Sequence, residues 1–511
     1  MPHLNPISGR NRRHSAKPRS PSPRIITGAT REIPTYDLVS SEALEIIEAK
    51  SDELLKEVGV RFVDDPEALS LFREAGATVF QDRVRFDPGH LRQIIRSTAP
   101  TSFRQHARNP ERSITIGGKN VVFSPGYGMP FVRDLDRGRR YATYEDFENL
   151  IKLTYMSPWL HHSGGTICEP TDLPVNKRHL DMVYAHLKWS DKPFMGSVTA
   201  VDRAQDSIDM ARIVFGEDFV DRNCVIMANV NMNSPLVFDQ AMSGAIRTYA
   251  AANQCPNIVP FVLGGATAPV SMTAAVTQAY SEVLVGCALA QLVRPGSPVI
   301  FGNFVTTVDL RTGSPTFGTP EAALGSLIAG QLGRRLGLPI RCSGAFSASK
   351  LPDAQSMLES VMALHAAIQG GANFVLQSAG WLEGALTMSY EKLVMDADVL
   401  GAMHTYLKGP SLDNEAFAMD AFREVGPGGH FFGCSHTMRH YQDAFHETEL
   451  SDTQNFETWT DRGETDMVQR ANTKWKRDLE RYEAPELDPA IDEELQDFMI
   501  RRKSRLPDMW H

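Results

Sequence analysis

Short apolar runs alternate with longer stretches of helical period through much of this chain. The runs fall at residues 165–167, 194–198, 224–230, 258–263, 299–304, 340–343 and 374–376, each short enough for one strand. Several end in a Gly-rich or polar turn, such as Gly264-Gly265, Asp309-Leu-Arg-Thr-Gly313 and Ser343-Gly344. The stretches between them, such as 270–292 with its many alanines, suit helices better than strands. Strand, turn and helix therefore repeat.

Repetition of that unit argues for parallel pairing, and in the closed arrangement the chemistry sits on the turns after the strands. The predicted fold is an α/β (β/α)8 TIM-type barrel with helical N- and C-terminal extensions. Seven strands are evident, and the eighth falls either at 120–124 or at 429–432. An open doubly wound sheet is the alternative, but no G-x-G-x-x-G follows an early strand with an acidic residue beyond it.

Four regions follow from the pattern. Residues 1–31 hold seven Arg or Lys and no acid among Ser, Pro and Asn, and read as a disordered basic tail. That make-up resembles an organellar transit peptide but lacks the apolar face. Residues 32–115 read as a helical N-terminal region, with a Ser cap opening a helix at 41–58 and a second helix at 66–75. The barrel spans 116–450. Residues 451–511 form a helical extension, with charged amphipathic helices at 465–482 and 489–502.

Composition narrows the class. With 511 residues, 42% hydrophobic and 22% charged, the chain is an ordinary globular protein large enough for one barrel with additions. The net charge of −10 points to neither nucleic acid nor membrane as a main partner. With no apolar leader and no run of 18 apolar residues, the expected location is the cytoplasm. Six cysteines (168, 224, 255, 287, 342 and 434) are scattered without a C-x-x-C pair, against a disulfide framework or a structural zinc site. Cys224 and Cys342 fall in predicted strands, where a thiol acts as a small apolar residue.

Several motifs together carry a resemblance. Phe123-Ser-Pro-Gly-Tyr-Gly128 precedes Val132-Arg-Asp134, and Asp309-Leu-Arg-Thr-Gly313 leads to Gly318-Thr-Pro-Glu321. Further along stand Ser349-Lys-Leu-Pro-Asp-Ala-Gln355 and Val425-Gly-Pro-Gly-Gly-His-Phe-Phe-Gly433, then His436 and Arg439-His440. The chain resembles the trimethylamine methyltransferase superfamily, in particular its members without pyrrolysine, which look like glycine betaine methyltransferases. The resemblance implies a barrel enzyme that moves a methyl group from an amine to the Co(I) of a corrinoid carried by a separate small corrinoid-binding protein, and it suggests a homo-oligomer. The protein then has to hold the donor in line and let the amine leave.

Absence of pyrrolysine from this sequence favours one kind of donor. A quaternary ammonium leaves directly as a neutral amine, whereas a tertiary amine must first be protonated or expel a strongly basic anion. A quaternary amine such as glycine betaine or a related betaine is therefore expected; trimethylamine as donor, or binding of a betaine without turnover, are the alternatives. Such a ligand asks for aromatic faces around its methylated cation and a cationic group for its carboxylate. Tyr127, Phe346 and Trp381 lie in turns beside predicted strands and are the candidate faces, unless they only pack the turns and the core. Arg311 is the candidate for the carboxylate, or else an ion-pair partner of Asp309 or Glu321. Asn229, Asn231 and Asn233 alternate along one run, so they share a side, facing either ligand or solvent.

Candidate cofactor contacts are Gly264, Gly265, Gly302, Gly344 and Gly380, which would let backbone approach a large planar group, together with His430 and His436. His436 and His440 lie four apart, but Thr437 stands where H-E-x-x-H needs Glu, and no bound metal is expected. His161 and His162 stand open between pocket lining and ordinary core histidines. A lyase or hydrolase using Lys350 or Asp353 with Glu383 is a further alternative, although Lys350 and Asp353 suit a local ion pair at a helix start.

Overall fold

The structure is a computed structural model that describes residues 24–510. Its centre is a mixed α/β assembly around a curled sheet. The strands of that region are β1 (Ala29–Thr30), β2 (Ser102–Gln105), β3 (Ile114–Gly117), β4 (Asn120–Phe123), β5 (Phe194–Met195), β6 (Ile226–Met232), β7 (Cys255–Pro260), β8 (Ile300–Gly302), β9 (Ile340–Ser343) and β10 (Phe374–Leu376). The sheet order is β1-β4-β10-β9-β8-β7-β6-β5, with β1 antiparallel to β4 and the other seven parallel.

Strands β4 and β5 both approach one extended segment. His161 N donates to Phe123 O at 3.0 Å, Ser163 N to Pro193 O at 2.7 Å, and Met195 N to Gly164 O at 2.8 Å. That segment lies just before the run expected as a strand at 165–167, which itself forms no strand. The eighth expected strand proves to be 120–123, and 429–432 carries no strand.

Helices α4 (Tyr144–Met156), α5 (Arg178–Trp189), α6 (Val201–Phe215), α7 (Glu217–Arg222), α8 (Gln240–Ala251), α9 (Met272–Val293), α10 (Pro320–Leu336), α11 (Ala354–Gly370) and α12 (Tyr390–Lys408) separate the strands. They follow α1 (Ser41–Glu57), α2 (Pro66–Glu74) and α3 (His90–Thr98), and precede α13 (Asn414–Phe417), α14 (Met419–Val425), α15 (Ser435–His440), α16 (Phe456–Asp461), α17 (Met467–Glu480) and α18 (Pro489–Ser504). Several of the helices after strands begin with a cap their sequence encodes, whereas α5, α6, α7 and α9 have no side-chain cap. Thr319 and Asp353 accept from the backbone of α10 and α11, with Pro320 at the first position of α10.

Helix α9 is apolar on every side, because it packs against the sheet on one side and α1, α2 and α3 on the other. It is long and apolar enough to cross a membrane, yet 83% of its most apolar window is buried inside the protein. The N-terminal region is thus a second layer over α9. It also holds a small sheet, in which Val60–Val63 pairs with Arg83–Arg85.

Below the curled sheet, the β2–β3 hairpin closes the end from which the strands start. Ile114 and Ile116 join Val122, Met195, Met227, Cys255, Ile300, Phe374 and Leu376 in one buried cluster. Gln105 Nε2 donates to Phe194 O at 2.9 Å and His106 N to Cys224 O at 2.8 Å, tying the hairpin to the strand starts.

The basic tail lies mostly outside the described residues, but its last part is ordered. Ala29 pairs with Val121, and the Arg31 guanidinium is buried against the carbonyls of Gly371 and Ala372. Arg31, the last residue of the expected tail, thus caps the turn before β10. At the other end, α17 and α18 lie against the outer helices. Asn472 Nδ2 and Trp475 Nε1 both donate to Glu391 Oε1, at 3.0 and 2.9 Å, and Lys188 pairs with Asp492 at 2.6 Å. All six cysteines are free and buried. Burial pushes the Cys342 thiol up to about 11.

Close packing of α10 on α11 depends on Gly330, where a Cβ would lie 2.1 Å from the Gly370 carbonyl oxygen. Backbone cannot yield as a side-chain tip does, so Gly330→Ala should destabilise the protein by about 1–3 kcal/mol or more. The urea midpoint should fall; an unchanged midpoint would show that the two helices separate without cost.

Candidate active site

Alternation along β9 decides which side chains face the inside of the curled sheet. Ile340 and Cys342 pack into the core cluster shared with the surrounding helices, so Arg341 and Ser343 point inward. Arg341 is fully buried. Its Nη1 donates to Asn303 O at 2.7 Å and to Ser343 Oγ at 3.1 Å, and its Nη2 donates to Gln377 Oε1. Every one of these partners is neutral. Among the described residues no carboxylate pairs with this guanidinium, and its Nε has no hydrogen-bond partner.

A buried cation without an anion is costly, because desolvation penalises the charged form. Burial pulls the Arg341 guanidinium down to about 9, so it is still protonated at neutral pH. Gln377, which holds it, sits at φ 57°, a left-handed conformation that non-glycine residues seldom adopt. Such backbone concentrates where function over-determines geometry.

Aromatic rings cover this cation on the side where the strands end. Arg341 Cζ lies 5.6 Å from the Phe304 ring centroid. Phe346 lies 4.7 Å from Phe304 and 4.5 Å from Trp381, while Phe317 is 5.4 Å from Phe346 and 5.8 Å from Trp381. Phe261 adds a fifth ring 4.6 Å from Phe304. All but Phe261 are buried, and Trp381 Nε1 has no partner. The turn carrying Trp381 is held from behind. Gly380 N donates to Asp396 Oδ2 at 2.9 Å, and Asp396 forms a wholly buried ion pair with Lys392, whose Nζ also donates to Ser360 Oγ at 2.7 Å.

Further round the inner face, Asn257 Nδ2 donates to Asn229 Oδ1 at 2.9 Å, and Asn257 Oδ1 is unpartnered. His162 Nδ1 accepts from Gly164 N at 2.9 Å. Burial holds its pKa well below the usual histidine range, so the ring is neutral and its proton sits on Nε2. That Nε2 is buried without a partner, with the ring edge-on to Phe374 at 5.2 Å. Phe374 is the registered neighbour of Arg341. Unsatisfied buried polar atoms are rare in folded proteins. Here Arg341 Nε, Asn257 Oδ1, His162 Nε2 and Trp381 Nε1 recur around one interior, whereas Asn303 turns its side chain outward, its Nδ2 donating to Ser326 Oγ on α10 at 3.4 Å.

The candidates from sequence divide accordingly. Asn229, Phe346 and Trp381 belong to this interior, and Tyr127 packs on the cluster inside the sheet near Gly165 and Met195. Burial raises the Tyr127 phenol to about 12, so it stays neutral. Arg311 does not belong: it is exposed on the turn after Asp309, and the cation that faces the interior is Arg341. Asn231 is exposed, and Asn233 donates to Asp239 at 2.6 Å.

Glycines predicted to face a cofactor are occupied by neighbours. A Cβ would lie 2.3 Å from Ile258 O at Gly302, 2.6 Å from Ser378 Cα at Gly344 and 2.3 Å from Met388 Cε at Gly380. These three serve close packing of strands and turns. Gly264 is buried with ordinary clearance, and Gly265 is exposed at φ 94°, with Leu310 2.9 Å from where its Cβ would be. His430 is exposed, while His436 and His440 turn toward Glu415. His161 is a core histidine, bonded to Phe123 N and to His404, both at 3.0 Å.

The acid–base alternative has no assembled site. Asp353 caps α11 and accepts from Ser349 Oγ at 2.9 Å, Lys350 donates to Ala348 O at 3.0 Å, and Glu383 pairs with Arg139 at 2.7 Å. Arg341, Phe304 and Phe317 escaped the sequence reading. An Arg at the second position of an apolar strand was the one available signal.

Known proteins resemble this chain along most of its length. The glycine betaine methyltransferase of Desulfitobacterium hafniense (strain Y51) is 41% identical over 471 residues, covering 92% of this chain and 98% of that protein. The proline betaine:corrinoid methyltransferase of Eubacterium limosum is 31% identical over 433 residues, covering 82% and 88%. A trimethylamine methyltransferase, MttB, of Desulfitobacterium hafniense (strain DSM 10664 / DCB-2) is 27% identical over 450 residues, covering 87% and 89%. Residues 7–507 match the trimethylamine methyltransferase (MTTB) family, and the chain belongs to it.

Proposed function

We propose that this protein transfers a methyl group from a carboxylate-bearing quaternary amine, of the glycine betaine class, to the Co(I) of a corrinoid held by a separate small protein. The buried, anion-free guanidinium of Arg341 carries this reading. It supplies the one group a betaine carboxylate needs, beneath rings that suit a methylated cation. The relatives named for glycine betaine and proline betaine support it.

We read the curled sheet as a closed (β/α)8 barrel spanning about residues 116–450, with segment 161–164 as its second strand. The hydrogen bonds of that segment to both β4 and β5 support this. The ring cluster then stands at the end of the barrel where such enzymes keep their sites.

In the proposed reaction Arg341 binds the substrate carboxylate, with its free Nε–H available for a second, parallel hydrogen bond. Phe304, Phe346 and Trp381 take the trimethylammonium group. Phe346 lies between the other two rings, so the substrate must displace it. A corrinoid brought by the partner supplies the nucleophile for the methyl carbon. The C–N bond breaks with its electron pair remaining on nitrogen, so a neutral tertiary amine leaves and no residue here has to move a proton. The rings also exclude water around the reacting carbon.

Mixing the protein with reduced cobalamin or a cognate corrinoid protein and a panel of betaines and methylamines tests the reaction by the visible spectrum. Methylation by a betaine but not by trimethylamine is expected; the reverse would overturn the assignment of the donor. Replacing the anchor should be severe. Arg341→Met should weaken betaine binding about 30-fold or more, corresponding to roughly 2 kcal/mol or more, as loss of a buried charged partner does. Calorimetric titration would show it, with circular dichroism confirming the fold.

Titration of the anchor gives a pH signature. A carboxylate ligand favours protonated Arg341, so affinity should be flat from pH 6 to 8 and fall as pH rises through about 9. Flat affinity to pH 11 would place the carboxylate elsewhere. Trp381→Ala should weaken binding by about 2 kcal/mol, the size of a desolvated cation–π contact, with no change in this pH profile.

A further inference from the structure

Between α12 and α17 the chain forms helices almost without a core. Among apolar side chains from Ser411 to Asn455, only Ala421, Cys434 and Leu450 are buried. Phe432 and Phe445 are 87% and 88% exposed, and Leu412, Phe417, Phe422 and Tyr441 are exposed as well. Helices of four to seven residues do not hold together by propensity. What joins α13 to α15 is polar: His440 Nε2 lies 2.9 Å from Glu415 Oε1, and His436 Nε2 lies 3.2 Å from the Glu415 carbonyl oxygen.

We propose that Glu415, His436 and His440 bind a divalent transition-metal ion of the zinc class, which fastens α13 to α15. His436 and His440 are one helical turn apart, so both rings can serve one ion, and their centroids are 4.8 Å apart. One donor atom from each of the three residues lies within 4.8 Å of the others. Zinc–nitrogen and zinc–oxygen bonds of about 2.0–2.2 Å set the ligand atoms of a tetrahedron roughly 3.3–3.5 Å apart. The set must therefore contract by little more than 1 Å, a rotamer adjustment for partly exposed side chains. Two imidazoles and a carboxylate are a donor set that zinc accepts, leaving one position to water.

Arg439, which donates to Glu415 Oε1 at 2.9 Å, becomes an outer donor to the bound carboxylate. The missing H-E-x-x-H glutamate does not weigh against this site, because its carboxylate comes from another helix. Segments lacking a core gain their order from metal in this way.

The test uses the full chain, stripped with a chelator and then given Zn²⁺ or Co²⁺. One ion per chain is expected by elemental analysis after gel filtration, with visible Co²⁺ absorption, and neither in Glu415→Gln or in the His436→Ala/His440→Ala double variant. Limited proteolysis within 411–463 should slow about tenfold or more when Zn²⁺ is added. Diethylpyrocarbonate footprinting of the unaltered protein needs no variant to fold: Zn²⁺ should protect His436 and His440 while exposed His430 stays reactive. No bound metal at micromolar Zn²⁺, wild-type stoichiometry in a folded variant, or equal labelling of the three histidines would each overturn the proposal.

Discussion

The inside of the curled sheet is organised around a buried cation, Arg341, that no carboxylate pairs among the described residues. Arg341 lies wholly buried inside the curled sheet and is held only by neutral acceptors, at Asn303, Ser343 and Gln377. Burial depresses it to about 9, so desolvation opposes the charged form that the fold nevertheless holds. The surroundings bear that cost through rigidity. Gln377 is fixed at a positive φ, and the Lys392–Asp396 pair anchors the turn that carries Trp381. A ligand carboxylate would relieve the same penalty, coupling binding to stability.

Support for the charged interior comes from layers that have no chemistry of their own. The β2–β3 hairpin seals the end below Arg341, keeping water from the guanidinium. Outside the sheet, α9 is clamped between it and α1 to α3, which explains a helix apolar on every face in a protein whose other helices are mostly amphipathic. The C-terminal helices repeat the device with polar contacts, through Glu391 and Asp492.

Much of the architecture was legible in the sequence. Strands at 340–343 and 374–376 fall where the apolar runs predict them, and caps such as Ser40, Thr319 and Asp353 mark helix starts as their chemistry requires. The segment at 161–164 was missed because His-His-Ser-Gly has no apolar run, its inward and outward positions both being polar. The site was half legible. Phe346 and Trp381 announced themselves as aromatics in turns after strands, whereas Arg341 was hidden inside a strand and Arg311 drew notice on a turn. A strand Arg reads as an edge or solvent position unless the strand is known to be buried on both faces, and only the three-dimensional sheet shows that. Glycines misled for a related reason. Gly302, Gly344 and Gly380 look like space for a ligand, but neighbouring atoms fill the space.

Joining a guanidinium to an aromatic cluster sets two demands that few molecules meet together. A cation placed among these rings about 6 Å from Arg341 would be opposed by about 3 kcal/mol at an effective dielectric constant of about 20. A factor of roughly 100 in affinity follows from that repulsion alone. A carboxylate between the two cations reverses the sign, since it is closer to each than they are to one another. On the proposed function, such an interior would favour a zwitterion with its charges a short, fixed distance apart over a bare methylammonium, without any steric device. Selectivity of this kind would reside in the charge of Arg341, and would give an unpaired arginine in an otherwise well-packed core a role that packing alone does not.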